Sequence, residues 1–227
     1  MKFKAKSMLA MAVLLSVMSV GTLAEAQWCY KVDDGAEQTW GSYDLKGTGN
    51  KLEVWSIGGS DYSLYSIYGG YTSDSSPVES KTVIFKSGNV NSVYGGYSEG
   101  GDVTGNIVVI TGGTVRGIVA GGYWNGSDFG SGEQRENKVI ISGGNLSAAD
   151  VYGYGSSSSP HSNNTLQIEN SVTISKIYNF ENINFVLPTI TGDKTLLSLA
   201  NLAFSVTGKK VGVNLGENAN SDLNTYE

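Results

Sequence analysis

The sequence predicts an all-β chain built as a stacked solenoid, and three observations carry that expectation. First, the block Val93-Tyr94-Gly95-Gly96-Tyr97 recurs. Ile67-Tyr68-Gly69-Gly70-Tyr71 starts 26 residues before it, Val119-Ala120-Gly121-Gly122-Tyr123 starts 26 after it, and Val151-Tyr152-Gly153-Tyr154-Gly155 is a displaced fourth copy. A unit of that length cannot bury its apolar side alone, so the copies must stack on one another. Second, a strand with apolar residues two apart alternates with this block. Third, the 227 residues include 31 Gly, only 3 Pro and 16% charged residues, the composition of a turn-dense β protein.

Residues 1–26 read as a signal peptide. Lys2, Lys4 and Lys6 form a basic start, Met8 to Val20 an apolar run too short to span a bilayer comfortably, and Ala24-Glu25-Ala26 a small-x-small cleavage site before Gln27. Export implies an oxidising space, yet Cys29 is the only cysteine, so no internal disulfide can form and stability must come from stacking. Loss of the three lysines and Glu25 moves the formal charge from −6 to about −8, which excludes nucleic acid as a partner and disfavours anionic lipid. Residues 27–49, with Trp28, Trp40 and Tyr43, are expected to cap the open edge of the first coil.

Residues 50–190 hold the repeats. Val83 and Phe85, Val108 and Ile110, Val139 and Ile141, Leu166 and Ile168, with Leu52 and Val54 earlier, are apolar pairs spaced by two and so point to one side, inward. The intervening Glu53, Ile84, Val109, Ile140 and Gln167 face outward. Gly88, Gly113 and Gly144 mark one corner and the Gly-Gly-Tyr blocks a second, where glycine supplies positive φ or close backbone approach. Polar loops (72–80, 98–105, 124–136 and 156–163) vary in length and are expected to project from one edge of the stack. Asn50, Asn106, Asn137 and Asn164 recur ahead of the strands, with Lys81 as the exception, and suit an internal amide ladder. Residues 191–227 read as a terminal β-segment followed by a frayed tail.

These blocks, Asn106-Ile-Val-Val-Ile-Thr-Gly-Gly113, Asn137-Lys-Val-Ile-Ile-Ser-Gly-Gly144 and the Val-Tyr-Gly-Gly-Tyr copies, together with Tyr178 to Pro188, resemble the repeated passenger region of autotransporters, the type V secreted surface proteins of Gram-negative bacteria. The resemblance covers roughly residues 50 to 215. It implies a right-handed parallel β-helix over 50–190, displayed at the cell surface or released outside the cell. Such proteins carry a C-terminal membrane β-barrel. No ten-residue membrane strands bounded by aromatic girdles can be read in these residues, so membrane association is expected only through such a barrel.

The chemistry that can be read is sparse. His161 is the only histidine and lies in a Ser-rich loop, which excludes a histidine pair for metal and a Ser-His-Asp triad. Gly58-Gly59-Ser60-Asp61 and Gly100-Gly101-Asp102 lack the nine-residue period of a calcium β-roll. No catalytic, cofactor-binding or metal residue is expected. The expected function is a non-enzymatic, adhesin-like passenger that contacts a host or bacterial surface protein or glycan. The alternatives are a polysaccharide-degrading β-helix enzyme, for which Asp102, Asp128, Glu133, Arg135 and Glu136 are the available loop side chains, and a structural spacer. The loop Trp124 to Glu136 is the first candidate contact site, through Trp124, Asp128, Phe129 and Arg135. The tyrosine row that includes Tyr97 and Tyr123 is the second, since rings repeating once per coil could form an exposed ladder for sugar faces or protein.

Overall fold

The computed structural model describes residues 27–41, 43–57, 61–125, 132–155, 160–187, 195–201 and 208–215. The predicted signal peptide, the tail from 216 and Asp128 and Phe129 lie outside these residues. Among the described residues the chain is all β, a parallel β-solenoid of about six turns. No helix among them is long and apolar enough to cross a membrane.

The N-terminal end is antiparallel. β1 (Gln27–Val32) pairs with β2 (Gln38–Trp40) on one side and β4 (Lys51–Ile57) on the other, while the short β3 (Leu45–Lys46) already lies parallel to β5 (Asp61–Thr72). From β4 to β16 each coil runs through three sheets. β6 (Val78–Glu79) completes the first coil, and β7 (Thr82–Phe85), β8 (Asn89–Ser98) and β9 (Val103–Thr104) form the second. The third is β10 (Ile107–Ile110), β11 (Thr114–Val115) with β12 (Ile118–Trp124), and β13 (Gln134–Arg135). The fourth is β14 (Lys138–Ile141), β15 (Leu146–Tyr152) and β16 (His161–Ser162). Then β17 (Thr165–Ile168), β18 (Val172–Tyr178), β19 (Asn182–Leu187), β20 (Leu197–Leu199) and β21 (Lys210–Leu215) continue the first two sheets without adding to the third. Within the stretch read as a terminal β-segment, β20 and β21 add to the second and first sheets. The late strands pair in register without any Gly-Gly block to announce them.

The core is the column of inward pairs. Val83, Phe85, Val108, Ile110, Val139, Ile141, Leu166 and Ile168 are all fully buried, and the register aligns them coil on coil. At the first coil, Trp28 stacks on Phe85 at 6.0 Å and on Tyr62 at 5.3 Å, with Trp40 edge-on at 5.1 Å. These rings close the N-terminal end of the core.

Two expectations need correction. The Gly-Gly-Tyr blocks are not corners: Gly69-Gly70, Gly95-Gly96 and Gly121-Gly122 lie within β5, β8 and β12. Their glycines are required because the next coil leaves no room, a Cβ on Gly95 falling 2.4 Å from the Gly121 carbonyl oxygen. The polar loops are not wholly loops either. Each of the four ends in a two-residue strand, β6, β9, β13 or β16, and these build the third sheet, with Val78, Val103 and Gln134 buried beneath it.

The true corners carry left-handed backbone. Gly88, Gly113 and Gly144 have φ of 99°, 77° and 95° between the first and second sheets. Between the third and first sheets the equivalent residues are Ser80, Gly105, Glu136 and Asn163, with φ of 55° to 64°. Only one of those four is glycine, and Glu136 is an exposed residue in a conformation that costs a side-chain-bearing residue about 1–2 kcal/mol. Glu136→Gly is therefore expected to stabilise the stack by about 1 kcal/mol net of the extra chain entropy of glycine. Thermal unfolding followed by circular dichroism checks this, as a rise of a few degrees in midpoint.

Behind those corners runs the amide ladder, on buried Asn106, Asn137 and Asn164. Asn137 Oδ1 accepts from the backbone N–H (3.1 Å) and Nδ2 (3.2 Å) of Asn106, and Asn164 Oδ1 accepts in the same way from Asn137, both at 3.1 Å. Each Nδ2 also donates to a carbonyl of the third sheet: Val78, Val103 and Gln134 in turn, at 2.8–2.9 Å. Glu181 takes the next register position, its Oε2 accepting from the N–H and Nδ2 of Asn164 at 2.8 and 3.1 Å. At the other end Asn106 Oδ1 accepts from Lys81 N–H. Asn50 is exposed, receives the Lys81 ammonium at 3.1 Å and stands outside the ladder.

Candidate functional site

The second sheet presents a double row of tyrosines. One column contains Tyr68 and Tyr94, then Ala120, then Tyr152 and Tyr178, aligned by the strand register. The other contains Tyr71, Tyr97 and Tyr123. Within a column the rings stack nearly parallel: Tyr68–Tyr94 at 5.0 Å and 9°, Tyr71–Tyr97 at 5.4 Å and 8°, Tyr97–Tyr123 at 5.9 Å and 11°, Tyr152–Tyr178 at 4.7 Å and 19°. Between columns they meet edge to face, as in Tyr94–Tyr97 at 5.4 Å and 77°. Ala120 interrupts the first column, and Tyr123 spans the gap by touching both Tyr94 at 5.5 Å and Tyr152 at 5.9 Å. The row is continuous across five coils.

This geometry limits what the row can bind. Within the row the stacked faces cover one another, so sugar rings cannot stack on those faces, as the sequence suggested they might. What remains for a partner is a ribbon of ring edges and phenolic hydroxyls, repeating once per coil at roughly 4.8 Å. Burial pushes the Tyr68 and Tyr152 phenols up to about 12 and also raises those of Tyr71, Tyr94 and Tyr97, so these five stay uncharged and can donate hydrogen bonds. At its N-terminal end the Lys46 ammonium lies 3.4 Å from the Tyr71 ring centroid, and Tyr71 Oη donates to Glu99 Oε1 at 3.1 Å.

The loop candidates separate. Trp124 ends β12 and is buried, only 7% exposed, and its backbone N–H donates to Gln134 Oε1 at 3.2 Å. Asp128 and Phe129 fall outside the described residues. Arg135 is half-exposed on β13 and pairs with Glu133 at 3.1 Å. Tyr97 and Tyr123 remain partly exposed, in the middle of the row.

His161 is not a free loop side chain. Its ring stacks on Tyr154 at 4.0 Å, its Nε2 lies 3.1 Å from Tyr154 Oη, and its Nδ1 lies 2.9 Å from Glu181 Oε1. Beside it, Glu133, Arg135, Pro160, His161 and Ser162 line a shallow recess of about 120 Å³. A second recess, of about 290 Å³, is bounded by Ser73, Asp74, Glu99 and Gly100. Its Asp74 carboxylate is held down to about 2 by hydrogen bonds from Thr72 and Ser76, which engage its Oδ1. Among the described residues no group of three His, Cys, Asp or Glu side chains could hold a metal ion. No protein-family model matches the sequence, and comparison with curated proteins and with solved structures finds no match. The geometry alone therefore bears on function.

Two contributors escaped the sequence reading. Tyr178 follows Tyr152 by the same 26 residues as the other copies, but its block has no Gly-Gly pair to flag it. Glu181 stands only 17 residues after Asn164, against 27 to 31 along the rest of the ladder, because that coil omits the third sheet.

Proposed function

We propose that this chain is an exported, non-enzymatic passenger of the autotransporter type, an adhesin-like scaffold that acts at the cell surface or outside the cell. The observation that carries the reading is the tyrosine row. An uncharged, part-exposed aromatic ribbon held on a rigid stack is an interaction surface, and tyrosine offers large contact area with little side-chain entropy to lose. The partner is a surface protein or a hydroxyl-rich glycan met through hydrogen bonds and ring edges. The acidic balance argues against nucleic acid.

One observation favours a second reading, a polysaccharide-degrading enzyme. The Glu181–His161–Tyr154 chain beside Arg135 has the sequence of contacts that an acid–base site uses. Against it, Tyr154 is 7% exposed and burial raises its phenol, so it is shielded and stays neutral. A panel of glycans and surface proteins separates the two: binding without product is expected. Turnover abolished by His161→Ala or Arg135→Ala would establish the enzyme instead.

A further inference from the structure

Within the tyrosine row, Tyr97 is the hub. Its ring meets four others: Tyr71 at 5.4 Å and Tyr123 at 5.9 Å in near-parallel stacks, and Tyr94 at 5.4 Å and Tyr68 at 5.5 Å edge to face. A phenol oxidised along this part of the row therefore touches a neighbour that can pass it an electron.

Tyr71 ends its column and has a carboxylate proton acceptor in place. Its Oη donates to Glu99 Oε1 at 3.1 Å, while the Lys46 ammonium lies 3.4 Å from its ring centroid. The ammonium opposes positive charge on the ring, so loss of an electron alone is disfavoured. Burial, and at Tyr71 the Glu99 hydrogen bond as well, raises the phenols of Tyr71 and Tyr97, so neither supplies a phenolate at neutral pH. An electron leaves Tyr71 readily only if its proton leaves too, and Glu99 is positioned to take that proton.

The stack also selects a product. β5 and β8 run parallel with Tyr71 opposite Tyr97, and the two ring planes differ by 8°, so equivalent ring carbons lie face to face. In an edge-to-face pair a ring carbon meets the centre of the other ring instead.

We propose that Tyr71 and Tyr97 are a site of oxidative cross-linking, joined as dityrosine when a haem peroxidase supplies hydrogen peroxide as the oxidant. Each phenol gives up one electron and one proton, the Tyr71 proton by way of Glu99 and that of the partly exposed Tyr97 to water. The two phenoxyl radicals couple through the carbons ortho to their hydroxyls. Each of those carbons then loses its hydrogen as a proton while its oxygen regains one, which restores both phenols. One hydrogen peroxide accepts the two electrons and two protons and becomes two waters. The new bond ties β5 to β8, which a disulfide cannot do, since Cys29 is the only cysteine and is buried. The cross-link does not depend on the row binding a partner.

Treatment of the dilute full chain with a haem peroxidase and one equivalent of hydrogen peroxide tests the proposal. The expected product is a monomer lighter by two hydrogens, with the blue fluorescence of dityrosine and a peptide map that joins Tyr71 to Tyr97. Tyr97→Phe keeps a ring in the stack and should abolish that product. Glu99→Gln keeps a hydrogen-bond acceptor but not the base, and should slow formation about tenfold with the far-ultraviolet spectrum unchanged. Chain unfolded in urea should form this pair at about a tenth of the folded yield or less, because the stack no longer holds the rings together. Indiscriminate oxidation would begin instead at Tyr43, the most exposed tyrosine among the described residues at 55%, and would link chains to one another. Products joined through Tyr43, a Tyr71–Tyr97 yield that survives urea, a rate untouched by Glu99→Gln, or no dityrosine at all overturns the proposal.

Discussion

Asn137→Ala is expected to destabilise the solenoid by about 4 kcal/mol, because it leaves buried main-chain groups without partners on both sides of one coil. The Asn106 N–H loses its acceptor, the Asn106 Nδ2 loses one of two, and the Val103 carbonyl loses the Asn137 amide donor. All this occurs where Asn106, Asn137 and Asn164 are fully buried, so water cannot substitute. The matched control is Asn50→Ala, at an exposed position of the same register, expected to change stability by no more than about 0.5 kcal/mol. Urea unfolding of both variants reads the difference directly. Equal midpoints would mean that the ladder contributes nothing the stack needs.

The second large effect is expected at a residue with no side chain. Gly95→Ala would place a Cβ 2.4 Å from the Gly121 carbonyl oxygen, 3.2 Å from Asn106 Cβ and 3.3 Å from the Ile107 nitrogen. Backbone oxygen cannot rotate away as a flexible side chain could, so adjacent coils must separate. The loss is expected to be about 3 kcal/mol, with a lower melting midpoint in calorimetry. Gly69 meets the Gly95 carbonyl oxygen at the same 2.4 Å, so one steric demand repeats along the stack. That demand, rather than a turn, is what the 26-residue Gly-Gly repeat records.

Much of the fold was legible because a strand has period two and a coil repeats. Val83 with Phe85 and Val139 with Ile141 are recognisable as inward from spacing alone, and both pairs are fully buried. The third sheet was not legible, since Val103–Thr104 or Gln134–Arg135 is too short to show any period; only its stacking on neighbouring coils makes it a strand. The candidate site was legible in its period and not in its chemistry. Recurring tyrosines announce a row, but only the near-parallel planes reveal that the ring faces are hidden. Trp124 misleads in the opposite direction: an aromatic beside Asn125 and a charged loop reads as exposed, whereas it completes β12 under the third sheet. The contacts of His161 could not be read from its Ser-rich loop, because its partners Tyr154 and Glu181 come from two other segments.

The proposed function requires the tyrosine row to be the contact surface. The most direct measurement is adhesion of the chain to cells and to immobilised surface proteins and glycans, compared between wild type, the Tyr97→Ser/Tyr123→Ser variant and a variant lacking residues 127–133. Removing two stacked rings should cost about 1 kcal/mol each and leave the β spectrum intact, because the inward pairs are untouched. The row predicts that the serine variant loses adhesion while the loop deletion keeps it. Adhesion retained by the serine variant and lost with residues 127–133 would contradict it and place the contact in the loop.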